Sequence, residues 1–558
     1  MDRGGTRAGT ARVLSMETRV PREVDALVRA RAEEKPPIGG PAHPGAATEG
    51  GWAPGLDPGA GPCPSQAERM SSRPSASDVS AISLGRVTAA LVLGRLAGYA
   101  LGLVNSVVLV RALGVERLGA YAYAMGVTAL FGLLPNLGIS TVVTRSIARD
   151  PADRTGIVRA AARAQGLLAA GVLMLIPAFA WILPGQPVPL GFVALAAAQF
   201  AVGTLSWPHL AVLAGRARYD RVAAVDLTAA FIGTGSIVVA AAFQGGVVAF
   251  LCAHVLAAGI SVLVARRIAR PFRSMGPSAG RSASLRLGAL LRQAAPLGAT
   301  AAVQSLYTRL DILMLGQMAS TAALGLYSAA YRPTNLAVYL GNTVGGTLLP
   351  LMAQEPPRGT PVAFVRAMRG LGAAAPAMAL AFAGLATPAL TLLFGAPFAA
   401  GGPILAILAF SAACNWLYAP LAISLQARGQ ERWWLGSLIG GTLLNAVANF
   451  WAIPRWGGIG AAWATLASEG ALLVLATVLV AQRLTIRPPL RPILLGLGAA
   501  AAGGAALAML RGRGPVLATG VALGVYAGFA ALFRLVTVED VTLVVGWVRQ
   551  AASGGIRR

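Results

Sequence analysis

Residues 164–215 and 370–427 run for 52 and 58 residues without a single Asp, Glu, Lys or Arg. A helix needs about 20 apolar residues to cross the hydrocarbon core of a bilayer. Each stretch is therefore long enough for two crossings, and each contains its own break: PGQPVP at 184–189 and FGAPFAAGGP at 394–403. Backbone polar groups in hydrocarbon must be satisfied within the protein, so apolar runs of this length read as helices. The rest of the chain from Arg86 repeats the pattern. Spans read at 87–110, 118–143, 164–183, 189–213, 222–242 and 247–265, then at 293–316, 322–350, 370–394, 403–427, 433–453 and 457–482. Two more follow at 492–510 and 515–534.

Charge fits this reading. Of 558 residues only 12% are charged, about half the share found in soluble domains. The net charge of +25 would ordinarily suggest nucleic acid, but no basic block interleaved with aromatics occurs. Residues 1–80 contain ten cations and ten anions, so the whole excess lies in the apolar part, between spans. Cationic side chains favour the cytoplasmic side of a membrane. Counted over alternate loops, 28 arginines fall on one side and five on the other. That ratio supports fourteen spans, with both termini cytoplasmic.

Residues 1–80 are rich in Pro, Gly, Ala and charge, without apolar periodicity, and read as a disordered cytoplasmic leader. Met70 opens MSSRPSASDVSAISLGR and offers an alternative start. The remaining organisation reads as an N-terminal six-helix bundle over 86–270, a C-terminal six-helix bundle over 288–485, two additional transmembrane helices over 490–536 and a cytoplasmic tail over 537–558. The three cysteines have no metal-ligand or disulfide spacing.

The two bundles echo each other. LGAYAYA (118–124) returns as LGLYSAA (324–330) at an offset of 206, and AGRARYDR (214–221) as LQARGQER (425–432) at an offset of 210–211. An even number of spans separates the copies, so both halves have the same orientation. The fold expected is an all-α integral membrane protein: about fourteen transmembrane helices, two six-helix bundles related by a pseudo-two-fold along the membrane normal, and two C-terminal helices.

No phosphate-binding GxxxxGK[ST] loop, HExxH or GxSxG motif occurs, and no cofactor is implied. Ionisable residues inside spans cost about 2.5–3.5 kcal/mol each at the bilayer centre and so point to function. They are Arg95, Asp226, Arg309, Asp311, Arg332 and Glu469. Asp226 lies close enough to a span end to snorkel. Arg95 and Arg309 are the candidates for binding a phosphate, because the guanidinium fork meets two phosphate oxygens and keeps its charge on burial. Asp311, Arg332 and Glu469 are candidates for coupling or ion pairing, with Arg332 the expected partner of Asp311. Structural ion pairs are the competing explanation for all of them. His209 and His254 read as residues that hydrogen-bond a neighbouring helix.

RALGVERLGAYAYA (111–124) and LGISTVVTRSIARD (137–150) resemble the start of the polysaccharide and oligosaccharide flippases. These belong to the multidrug/oligosaccharidyl-lipid/polysaccharide (MOP) exporter superfamily. DILMLGQMASTAALGLYSAAYRP (311–333), LFGAPFAAGGPILAIL (393–408), QARGQERWW (426–434) and LNAVANFWAIPRWGGIGAAWATLASE (444–469) resemble later parts of the same family. The resemblance implies a bacterial inner-membrane flippase, not an enzyme, that moves polyprenyl-(pyro)phosphate-linked oligosaccharide by alternating access. Its partners would be the lipid-linked oligosaccharide, membrane lipid, a glycan polymerase and export machinery. An H⁺ or Na⁺ gradient would drive it. A lipid II flippase, a cation-coupled drug exporter and a membrane glycan polymerase or ligase are the alternatives, in that order.

Overall fold

A computed structural model describes residues 81–132, 134, 138–149, 155–183, 185, 187–272, 287–354, 362–484, 489–510 and 512–533. For residues 81–97, 99, 155–156, 272, 287–301, 343–354 and 362–363 it describes the backbone alone. The leader with Met70 and the C-terminal tail lie outside the described residues.

The described chain is all helix and turn. Two of its longest helices are pairs joined at a glycine. Ala81–Leu130 breaks at Gly114 (φ 70°, ψ −179°), giving α1 (81–113) and α2 (115–130). Glu431–Arg483 breaks at Gly457 (φ 52°, ψ −129°), giving α13 (431–456) and α14 (458–483). Positive φ costs a side-chained residue energy that glycine avoids, so both hairpins turn there without a loop. Between them lie α3 (Ile139–Arg149), α4 (Thr155–Ile182), α5 (Leu190–Thr204), α6 (Trp207–Gly215), α7 (Tyr219–Ala242) and α8 (Val247–Ala269). Next come α9 (Leu287–Met318), α10 (Thr321–Gln354), α11 (Val362–Phe394) and α12 (Gly402–Ala427); α15 (Leu490–Met509) and α16 (Pro515–Leu532) close the described chain. With α2 and α3 taken together, and α5 and α6 together, these helices fall on the fourteen stretches read as spans from the sequence.

Among the described residues nine helices are long and apolar enough to cross a membrane. Three long helices fall outside that nine: Ala81–Leu130, Leu287–Met318 and Thr321–Gln354. They are the ones that carry Arg95, Arg309 with Asp311, and Arg332.

Two predicted spans are interrupted. The second ends its helix at Leu130, and α3 restarts after Gly138 (φ 81°). The fourth breaks between Thr204 and Trp207 because Pro208 has no N–H to continue the ladder. The Ser206 hydroxyl donates to Gly203 O (2.7 Å) at this break.

The halves meet where the sequence repeats. A Cβ on Gly119 would stand 1.8 Å from the Thr321 carbonyl oxygen, and one on Gly325 would stand 1.9 Å from that of Val115. These contacts are reciprocal: Gly119 and Gly325 are 206 apart, as are Val115 and Thr321. Thus α2 and α10 cross backbone to backbone, which small residues permit in membrane helices. Leu118, Val127, Leu315, Leu324 and Tyr327 are packed into one core around this crossing. Arg111, at the end of α1, adds a polar tie: its Nε donates to Leu393 O (2.8 Å) and its Nη2 to Leu392 O (2.6 Å), in the last turn of α11. Helices α15 and α16 pack on each other and on α11.

Candidate functional site

Helix periodicity places residues four apart on one face. On α9 this aligns Tyr307 with Asp311, and on α14 it aligns Thr465 with Glu469. These side chains, with Asn415 and Tyr418 of α12 and Tyr331 of α10, line a cavity of ≈ 360 Å³ in the C-terminal half. Arg309 and Asn445 line it too. So polar a lining inside apolar helices is expensive unless the groups find partners.

Most of them do. Asp311 is 3% exposed. Its Oδ1 accepts the Ile312 backbone N–H (2.8 Å), and its Oδ2 accepts the Tyr327 hydroxyl. Glu469 is also buried, and its Oε1 accepts the Tyr307 hydroxyl (2.9 Å). The Tyr418 hydroxyl and the Asn415 amide also face this carboxylate. Behind it, Asn449 donates to Asn445 Oδ1 (2.8 Å) and Asn445 donates to Ser468 Oγ (3.1 Å). Across the cavity Asn415 donates to the Tyr418 hydroxyl (2.6 Å).

Arg309 differs from its neighbours. It is half-buried in the wall of this cavity and makes no hydrogen bond or ion pair among the described residues. Asp311, two positions along, is already occupied by Tyr327. A guanidinium left with five unused donors beside a cavity is equipped to bind an anion.

The structure thus brings Arg309, Asp311 and Glu469 to one cavity. It places Arg332 elsewhere. Instead of pairing with Asp311, Arg332 donates to Ser106 Oγ (2.9 Å) on α1. It lines a separate groove of ≈ 570 Å³ with Gly98, Gly102 and Leu103 of α1 and Phe382, Leu385 and Phe394 of α11. The expected pair fails because Tyr327, not Arg332, reaches the Asp311 carboxylate. Arg95 lies on α1, with its side chain outside the described residues. His254 shares a hydrogen bond with the Tyr121 hydroxyl (2.9 Å), a contact between neighbouring helices. The tyrosines and asparagines of the cavity were not singled out from sequence. Their available signal was the i, i+4 spacing of Tyr307 with Asp311 and of Thr465 with Glu469.

Residues 84–355 match the model of the family described as "Polysaccharide biosynthesis protein". No curated protein matches the sequence significantly. Among solved structures the chain is similar to "Lipid II flippase MurJ, inward closed conformation", at 14% identity and a TM-score of 0.64, covering 79% of this chain and 98% of that one. It is also similar to an inward-facing "multidrug resistance MATE family transporter of the MOP superfamily" (15% identity, TM-score 0.54, 70% and 94% covered). A third is a MOP superfamily transporter from Pyrococcus furiosus (16%, 0.51, 75% and 96%). The chain therefore shares its fold with these structures, and its residues 84–355 match the polysaccharide-biosynthesis family's sequence pattern.

Proposed function

We propose that this protein is a flippase for a polyprenyl-(pyro)phosphate-linked oligosaccharide, working by alternating access in a bacterial inner membrane with both termini cytoplasmic. The carrying observation is Arg309, a guanidinium that makes no hydrogen bond or ion pair among the described residues, in the wall of a polar cavity inside apolar helices. A sugar-pyrophosphate head group bears about two negative charges and cannot cross bare hydrocarbon. Arg309 offers those oxygens bidentate hydrogen bonds and does not lose its charge on burial. Arg95, on the opposite half, supplies a second capture point along the path.

Release requires the attraction to weaken. The Glu469 carboxylate, buried in the wall of this cavity, is where a proton or a sodium ion would be taken up from the gradient. Asp311, in the same cavity, adds a second carboxylate to that exchange. No bond in the substrate is made or broken by this cycle, so the protein acts as a transporter.

The test is lipid-linked oligosaccharide accumulation in a deletion strain carrying each variant at matched expression. Arg309→Ala is expected to block export, and Arg309→Lys to restore it only in part because a lysine lacks the planar fork. Normal glycan export by Arg309→Ala would overturn the phosphate-capture role. The likeness to MurJ favours lipid II as the second reading. Loss of the gene would then cause lysis rather than accumulation of an oligosaccharide lipid.

A further inference from the structure

The turns that close the fourth pass of each half have the same backbone. In the first, the Arg218 N–H donates to Leu213 O (2.9 Å) around Ala217 at φ 55°; in the second, the Gln430 N–H donates to Leu425 O (2.8 Å) around Gly429 at φ 69°. Helices α7 and α13 start at Tyr219 and Glu431. All three landmarks differ by 212, whereas the sequence echo pairs these turns at 210–211. Asp220 therefore corresponds to Arg432, not to Glu431, and Arg221 corresponds to Trp433.

That one-residue difference moves the acid: Glu431 corresponds to Tyr219, and the place of Asp220 falls to a cation. Asp220 accepts Arg218 Nε (2.9 Å) and Nη2 (2.7 Å) and lies 3.7 Å from Arg221 Nε, so the first turn neutralises its own cations. In the second turn Arg432 takes the place of the acid. Its guanidinium carbon lies 5.7 Å from the centroid of the Trp433 ring, and that of Arg483, from the last turn of α14, lies 3.9 Å from the same centroid. Neither arginine makes an ion pair among the described residues, and both are exposed. The Trp433 Nε1–H is buried and has no acceptor among the described residues. Two like charges gathered on one indole, beside an orphan donor, form an incomplete site that an anion with several oxygens would complete.

We propose that Arg432, Arg483 and Trp433 bind the phosphate of an anionic phospholipid headgroup. The turn follows a membrane-spanning helix and precedes another, which puts it at headgroup depth, and the arginine excess assigns it to the cytoplasmic leaflet. Only that leaflet assignment rests on the proposed orientation; the site does not depend on what the protein transports.

The experiment uses the full chain, purified and titrated with phosphatidylglycerol, with phosphatidylcholine and with inorganic phosphate, following retained ligand by native mass spectrometry. The wild type is expected to prefer phosphatidylglycerol over phosphatidylcholine. Binding of inorganic phosphate as well would show that the phosphate alone is read; its absence would show that the acyl chains are needed. Arg432→Ala/Arg483→Ala should lower phosphatidylglycerol affinity roughly 25-fold, about five-fold for each arginine near an anionic surface. Trp433→Phe, which keeps a ring and removes the donor, should lower it about tenfold. Arg218→Ala/Arg221→Ala in the other turn should leave it within about twofold, since Asp220 already occupies those cations. Undiminished phosphatidylglycerol binding by the Arg432/Arg483 variant overturns the site. So does a wild type with no preference between the two lipids, an outcome that needs no variant to fold.

Discussion

The two halves share a scaffold and differ in what it holds. From 103 to 124 and from 309 to 330 the chain aligns without a gap at the offset of 206. Tyr121 and Tyr327 hold corresponding places. Tyr121 meets His254 on α8, and Tyr327 lies 3.3 Å from Thr465 on α14; the partners are 211 apart. Yet where the second copy has Arg309 and Asp311, the first has Leu103 and Asn105. Leu103 is exposed, and the Asn105 Oδ1 is buried with no partner among the described residues. The frames correspond, and at these two positions the second copy alone carries ionisable side chains.

The strongest way to break this comparison is to make the C-terminal half resemble the N-terminal one. Asp311→Asn reproduces Asn105, and Glu469→Gln removes the second carboxylate with little change of shape. Each is expected to lower flipping roughly 100-fold, equivalent to about 2.7 kcal/mol. His254→Phe, a change of similar size in the other half, should cost less than about threefold. The measurement is lipid-linked oligosaccharide accumulation at matched expression. Equal losses in both halves would show that the halves share the chemistry as well as the frame.

A smaller effect is expected where the halves are tied. Arg111 and Gln317 correspond at the same offset, and each reaches across to the other half: Arg111 to the Leu392 and Leu393 carbonyls, Gln317 to the Tyr123 hydroxyl. Helix C-termini leave carbonyls without intrahelical partners, which a guanidinium can satisfy. Under the proposed alternating-access cycle, this contact is expected to part in one state. Arg111→Ala removes two hydrogen bonds at an exposed place, each worth about 0.7 kcal/mol within the ordinary range for a net hydrogen bond, or about 1.4 kcal/mol together. The population with these ends apart should then rise about tenfold. Spin-label distances between positions 116 and 397 would measure it, and an unchanged distribution would show that the tie does not hold the state.

Helix order, repeat and membrane class were legible because they rest on long apolar runs and recurring motifs, signals that accumulate over many residues. The gathering of Arg309, Asp311 and Glu469 was legible in part, since charge inside a span is costly and therefore conspicuous. Partner choice was not legible. Arg332 and Asp311 are at similar depth, but which side chain reaches the carboxylate depends on helix rotation, and there Tyr327 prevails. The register of the Ala217 and Gly429 turns was likewise hidden. Residue identities align DR with ER, whereas the left-handed residue that sets the turn lies one step further along.

The smallest expected effect sharpens the contrast between those turns. The hydrogen bonds from Arg218 hold the Asp220 carboxyl below its usual range. A carboxylate depressed in the folded state stabilises above its unfolded pKa of about 3.9, and that contribution is lost as pH falls through the folded value. The Arg218 and Asp220 side chains are 39% and 44% exposed, so solvent screens the pair and its worth is about 0–1 kcal/mol. Asp220→Asn should therefore lower the thermal midpoint slightly at pH 7. The gap between variant and wild type should close as pH falls below about 4. Arg432→Ala, at the corresponding place in the other half, removes no carboxylate, so its effect should stay constant over the same range. A gap for Asp220→Asn that persists at pH 2 would mean that the side chain acts there through packing or turn geometry, and that charge compensation is not what separates the two turns.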